Sequence, residues 1–506
     1  MELNNGHGQK TEDEDMLSIL PDDILLSILG RISIITAART SVLSTRWKHL
    51  PWLLPELTID AKEFLPAPHP NPIEVQHMDA AMTYLTKATR SLLATPRSKQ
   101  SLIKILVKKT LNNKKIRDNT TISRLQLKFY LLNNYSDVIG PLVSEAVDTR
   151  TVKDLDLSIM DEKEPNDCTD EDMLHQASSV SSFFSAYPSV LHCLTKLSLY
   201  NICFADWDMH HLLFDCCKQL RHLYISNCDF LGEISAWKID APDSKLSVLE
   251  LFFCLVERLN ILCLPNLERL VWDTWVCRNS PLSLGVVPSL QELCLICAAS
   301  VEHKGFNLSE VLSENTAIRS LTLSFQGQRI WINPEGKQLC SAFNKLRRLS
   351  LHDIFIEFDM LWMMALLEAA PSVEIFDIEI WEHPCVMDDE KRRLTFGERT
   401  NPSWKMAEFT SSKEWLLKEV HIIGFSPMEQ LLEFIKAVMD RAPKLHYLVL
   451  KDHQPCDYCE KMGALPRSER LPAERVFPEG KEEQDMVVKQ LIRDKFHPNA
   501  HIIFGG

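Results

Sequence analysis

Apolar residues recur along this chain in the pattern Leu-x-x-Leu-x-Leu. It reads Leu194/Leu197/Leu199, Leu220/Leu223/Ile225, Leu246/Leu249/Leu251 and Leu267/Leu270/Trp272. It continues at Leu290/Leu293/Leu295, Ile318/Leu321/Leu323 and Leu346/Leu349/Leu351, and returns at Leu445/Leu448/Leu450. Weaker copies stand at Val373/Phe376/Ile378 and Leu417/Val420/Ile422. Successive copies from Leu194 to Leu346 begin 21–28 residues apart. The second and third anchors are separated by one residue, the period of a strand with one buried face. Pro265, Pro288, Pro371 and Pro443 each lie two residues before a first anchor. Proline ends a preceding helix and favours extended backbone ahead of it, so both signals fix the same register.

A period of about 20–29 residues is that of a leucine-rich-repeat solenoid. One such unit cannot bury its apolar face alone; stacking on its neighbours does so. The expected fold is therefore α/β, with parallel strands on a concave face and helices and loops on the convex one. Cys228 and Cys254 fall where such repeats place a buried Asn or Cys. Helices are expected in the intervals. In 206–217, Met209, Leu212, Leu213 and Cys216 share one helical face. In 426–440, Ser426 and Glu429 read as a capping box and Pro427 as first turn, ahead of a stripe of Leu431, Leu432, Ile435, Val438 and Met439. Residues between the strand anchors would line the concave face. Lys196, Tyr200, His222, Tyr224, Phe252, Arg269, Glu292, Arg348 and His352 are the candidates for target contact. Aromatic and Arg side chains suit protein contacts.

Ahead of the repeats, Leu20 to Leu50 carries a different periodicity. Pro21, Asp22 and Asp23 suit a helix start, because proline lacks an N–H there and carboxylates favour the positive dipole end. Ile24, Leu25, Ile28, Leu29 and Ile32 follow at helical spacing. Thr36 is placed to cap a second short helix through Ala37, Ala38 and Val42, and Ser44 a third carrying Trp47 and Leu50. Three short helices in about 40 residues are too few to bury their own apolar surface. They need a partner, from this chain or another.

This segment resembles the F-box. Leu20-Pro21-Asp22-Asp23-Ile24-Leu25 and Leu43-Ser44-Thr45-Arg46-Trp47 match that family's opening and closing in order and spacing. The block from Leu417-Lys418-Glu419-Val420 to Leu450 resembles the FBD module of plant F-box/leucine-rich-repeat proteins. The resemblance implies docking of a Skp-type adaptor through Leu20, Pro21, Ile24, Leu25, Ile28, Leu29, Val42, Leu43, Ser44 and Trp47. It further implies a cullin–RING ubiquitin ligase, a protein target held by the repeats, and catalysis by other subunits. The alternative is a repeat scaffold that binds proteins outside any ligase, its helical plug sealed by its own chain.

The expected organisation is a polar tail over 1–16, an F-box over 17–58 and a helical linker over 59–120. Repeats follow over 121–400, an FBD-like module over 401–455, a loop over 456–483, and a capping helix and strand over 484–506. Acidic Asp161 to Asp172 and charged Asp388 to Arg399 read as solvated loops.

Composition narrows the chemistry. The net charge of −14 argues against nucleic acid as the main partner. Fifteen cysteines cannot all pair within the chain, and the start lacks an apolar signal region. Reduced thiols in the cytoplasm and/or nucleus are expected, with no membrane span. Cys456 and Cys459 form a lone Cys-x-x-Cys with His446 and His453 upstream, short of the four spaced ligands of a structural zinc site. His210 and His211 are adjacent on a helix and point apart. Lys108, Lys109, Lys114, Lys115 and Arg117 read as a solvated basic face. No phosphate-cradling glycine loop and no nucleophile elbow occurs. No catalytic residue, cofactor or metal ligand is assigned.

Overall fold

A computed structural model describes residues 19–44, 46–47, 50–64, 122–131, 136–161, 163, 165–204, 210–230, 236–275, 277–312, 317–382, 389–404, 414–453, 476–492 and 500–505. Cys456, Cys459, the basic cluster from Lys108 to Arg117, and most of the expected linker lie outside them. The chain divides into two compact units. One is Met1–Glu164 with Ser178–Leu197; the other is Pro165–Ala177 with Ser198–Gly506.

In the first unit, strands β1 (Glu56–Asp60), β2 (Ile122–Tyr130) and β3 (Val152–Met160) pair in parallel. β1 runs across the expected F-box/linker boundary at residue 58. Buried Leu125, Leu127, Phe129, Leu155, Leu157 and Ile159 alternate along β2 and β3, the same two-residue period as the repeats.

β4 (Leu194–Tyr200) opens the regular series. In the second unit follow β5 (His222–Ser226), β6 (Ala236–Asp240), β7 (Val248–Phe252), β8 (Arg258–Cys263) and β9 (Arg269–Asp273). Then come β10 (Leu282–Val286), β11 (Glu292–Ile296), β12 (Ser320–Ser324), β13 (Arg348–Phe355) and β14 (Ile375–Trp381). The last are β15 (Glu419–Ile423), β16 (Tyr447–Lys451) and β17 (His501–Gly505). Strands β5, β7, β9 and β11 to β17 pair in that order, all parallel. Every anchor of the ten triplets is buried, none more than 3% exposed. The leucine pattern is thus the core of the stack, as the period requires.

The intervals hold more than the helices expected of them. β6, β8 and β10 form a second, three-stranded parallel sheet. Triplets there begin 21–26 residues apart, too close for a full helix plus two turns, and an extended segment returns the chain instead. Gly285 makes this pairing possible, since a Cβ there would lie 2.5 Å from the Leu262 carbonyl oxygen.

Two expected loops contain helices. Asp170–Ala186 starts inside the acidic stretch, where the Asp172 carboxylate accepts from Thr169 N–H at 2.9 Å and Asp172 N–H donates to Thr169 Oγ1 at 3.3 Å. The acid is a capping box, not a loop. Asp389–Phe396 is helical as well. Glu429–Arg441 buries Leu431, Leu432, Ile435, Val438 and Met439. Its start differs from expectation: Met428 occupies the cap, and the buried Ser426 hydroxyl has no hydrogen-bond partner among the described residues.

Several strands of the stack leave through one recurring joint. Asn201, Asn227, Phe253 and Thr274 have φ of 53°, 50°, 51° and 57°, and Gly424 has 76°. The amides of Asn201, Asn227, Phe253 and Thr274 donate to the last carbonyls of the next strands, at Ser226, Phe252, Asp273 and Ile296. Among the described residues no helix is long and apolar enough to cross a membrane.

Candidate functional site

The expected adaptor-binding set divides by burial. Helix α1 (Asp22–Leu29) follows Pro21, and α2 (Ile34–Arg39) is capped by Ser33, whose hydroxyl accepts from Thr36 N–H at 3.2 Å. Thr36 therefore lies inside the second helix rather than capping it. Ser44 Oγ accepts from Trp47 N–H at 3.3 Å. Arg46 closes the segment onto α1, donating to Leu20 O at 2.6 Å and Asp22 Oδ1 at 2.8 Å.

Leu25, Leu29 and Trp47 point inward with Ala37, Leu50 and Leu54. α1 and α2 both pack on the 3₁₀ turn Leu50–Leu53. The plug thus has a small core of its own. These three residues are interior, where sequence reasoning placed them on the docking surface, because a helix this short needs one stripe to hold it to its own chain. The neighbouring stripe faces out: Ile24 is 44% exposed, Ile28 40%, Val42 86% and Leu43 63%. Ile19, Ile32 and Leu53, absent from the expected set, are also exposed apolar residues. Leu20 and Ser44 are half-buried and Pro21 is exposed.

The second candidate surface is the solvent side of the repeat sheet. Tyr200, Tyr224 and Phe252 meet diagonally across neighbouring strands. Ring centroids lie 5.4 Å apart for Tyr200–Tyr224 and 5.1 Å for the stacked pair Tyr224–Phe252. His222 Nε2 lies 2.8 Å from Glu250, and Arg269 bridges Glu250 at 3.3 Å and Glu292 at 3.5 Å. Arg348 pairs with Asp377 at 2.7 Å, and His352 lies 3.5 Å from Glu379. Lys196 is in the first unit, on β4, and belongs to neither group.

Sequence reasoning names Glu292 but misses the other carboxylates of this face. Glu250 and Asp377 share one register row with Tyr224, Asp273 shares another with Phe252 and His352, and Glu379 lies opposite the irregularity of β13 beyond His352. The signal is their place beside the anchors: Glu250 and Asp377 lie between the second and third, Asp273 and Glu379 directly after the third. Burial raises the Asp273 carboxyl above its usual range, with the Asp353 charge adding to it. Burial likewise pushes Glu379 up to about 7, again with Asp353 adding, and burial lowers His352.

Histidines weighed as metal ligands do other work. His210 Nε2 meets Asp240 O at 2.8 Å, while His211 Nδ1 faces Asp215 at 3.2 Å. His453 packs its ring over Gly424. Among the described residues no group of three or more potential ligands could hold a metal ion.

Comparison with known proteins follows this division. A family model described as At1g61320/AtMIF1, LRR domain, matches residues 179–496, and an F-box domain model matches residues 17–51. The Arabidopsis thaliana F-box protein At1g80960 is 41% identical over 61 residues, 12% of this chain and 13% of its own length. The F-box/FBD/LRR-repeat protein At5g53840 of the same plant is 47% identical over 58 residues, 12% of this chain and 13% of its own. A longer match, to its F-box/LRR-repeat protein At5g02910, is 25% identical over 250 residues, covering 49% of this chain and 40% of that protein. The chain thus spans well under half the length of the curated relatives it matches.

Proposed function

Because the chain belongs to the leucine-rich-repeat family whose model covers residues 179–496, and carries an F-box at residues 17–51, we propose that it is the substrate receptor of a Skp–cullin–F-box ubiquitin ligase. The F-box docks the Skp-type adaptor, and the repeats hold a protein target beside the ligase. The chain itself performs no bond chemistry; it acts by proximity. Its setting is the cytoplasm or nucleus.

The observation that carries this reading is the outward apolar stripe of Ile24, Ile28, Val42 and Leu43 on a plug whose core is already closed by Leu25, Leu29 and Trp47. A plug that served only as a cap would turn its apolar residues inward. Covering one such side chain stabilises a complex by about 1.5–3 kcal/mol. Leu20, Pro21 and Ser44 shape the stripe rather than supply it.

The test is co-purification of a plant Skp-type adaptor with the full-length chain. Ile28→Asp combined with Val42→Asp should reduce adaptor recovery by at least about tenfold with the melting curve unchanged. Full recovery with the double variant overturns the assignment. The repeat scaffold outside any ligase is the second reading. The burial of Leu25 and Trp47 by their own chain supports it, and it predicts no adaptor in either preparation.

A further inference from the structure

The solvent side of the repeat sheet in the second unit joins an aromatic platform to an uncompensated line of carboxylates. Tyr224 and Phe252 stack at 5.1 Å and are half-buried, leaving part of each ring open. Phe252 and Asp273 are register partners on adjacent strands, so the platform runs directly into a carboxylate. Farther along, Glu379 stands on β14 opposite the irregular stretch of β13 between Leu351 and Ile354, where the Asp353 carboxylate accepts from Ser324 Oγ at 2.5 Å. The arginines of this face are already engaged: Arg269 with Glu250 and Glu292, Arg348 with Asp377. Among the described residues no lysine or arginine forms an ion pair with Asp273, Asp353 or Glu379. Asp273 accepts from Thr274 Oγ1 at 2.9 Å and Gln326 Nε2 at 3.5 Å, and His352 lies 3.5 Å from Glu379.

We infer that this face receives an extended basic segment of the protein target. One cation lies over the Tyr224–Phe252 platform and against Asp273; a second pairs with Asp353 and Glu379. The inference rests on the target-recognition reading and deepens it, naming the chemistry of the target. Both halves of the face suit the same occupant. A ring face attracts a guanidinium or ammonium, and a carboxylate already drawn out of water gains from one. An acidic or apolar segment satisfies only the platform and leaves the carboxylates repelling one another. Geometry also sets a spacing. Asp273 and Glu379 stand four strands apart, roughly 19 Å at ~4.8 Å per strand, which an extended peptide spans in about six residues.

The experiment is fluorescence anisotropy on the full-length chain with labelled Gly/Ser peptides bearing two residues six apart, both Arg or both Glu. At about 20 mM salt the Arg peptide should bind and weaken steeply as salt rises, while the Glu peptide should not bind. The near-isosteric variants Asp273→Asn and Glu379→Gln should each weaken the Arg peptide by about tenfold. Tyr224→Ala with Phe252→Ala should do so too, and remote Glu482→Gln with Glu483→Gln should not. The inference is overturned if no Arg peptide binds up to millimolar concentration, if the Glu peptide binds as well, or if the remote variant loses as much. Wild-type salt dependence decides the matter should a platform variant fail to fold. Adaptor recovery with Asp273→Asn and Glu379→Gln should stay at the wild-type level. A failure of peptide binding is therefore separable from a failure of the ligase assignment.

Discussion

Neighbouring residues on one short helix do opposite jobs, and only their exposure separates them. Leu25 is fully buried and Ile28 is 40% exposed, three positions on. Truncating Leu25 to Ala should therefore cost about 2–5 kcal/mol of local stability, whereas the aspartate at 28 should cost binding instead. Hydrogen exchange of the α1 amides distinguishes them: fast in the Leu25 variant, unchanged in the Ile28 variant. Glu379 offers a residue-scale test by pH. Its folded pKa is raised from 4.5 to about 7, by burial and then by Asp353. The folded state holds this proton more tightly than the unfolded chain. The contribution to stability is thus complete below about pH 4.5 and is lost as pH rises through about 7. Glu379→Gln, which keeps the neutral form, should raise stability at pH 8 by about 1–3 kcal/mol and change little at pH 4.5. Denaturant melts at the two pH values check this; a gain of equal size at both would refute the raised pKa.

At the scale of elements, legibility followed how many residues voted for each assignment. Ten triplets in register left the strands of the stack readable in advance, down to individual anchors such as Trp272 in place of a leucine. Helix Asp389–Phe396 was unreadable because DEKRRLTF has almost no apolar stripe, and its helicity comes from what it packs on: Thr395 O accepts from Val301 N–H at 2.9 Å. The acidic residues near 170 were read as solvent-facing charge, when the same charge serves a helix N-terminus. For the docking stripe, periodicity gave the right helix but not which of two adjacent apolar faces the chain keeps for itself. The second sheet was missed because β6, β8 and β10 lie in the intervals between the regular triplets, out of step with their series, where helices were expected. Gly285→Ala probes it. The added methyl meets Leu262 O, so the cost should be about 1–3 kcal/mol. Gly480→Ala is the control, where nothing described lies closer than 3.5 Å. Equal denaturation midpoints for the two variants would mean that the sheet tolerates a side chain there.

For the molecule as a whole, the described residues draw their stability from stacked apolar area and not from cross-links. Every described cysteine is a free thiol, and burial pushes Cys254, Cys277 and Cys297 up to about 12, far from the reactive thiolate. The melting temperature should be the same with and without reductant. Ellman's reagent should count only a minority of the fifteen thiols in the native protein and all of them in guanidinium. A reductant-sensitive melt would point to a bridge that the fold does not provide. The left-handed joints have a further consequence, one of inheritance. Because Asn201, Asn227, Phe253 and Thr274 hand their amides to the next strand in the same way, a lineage can lengthen, shorten or exchange what lies between two such joints without re-solving the fold at either. The interval can drift from 21 to 28 residues while the outward side chains stay in line. Such a chain can change what it recognises by substitution along its rows and by length between its joints, and the two kinds of change do not interfere.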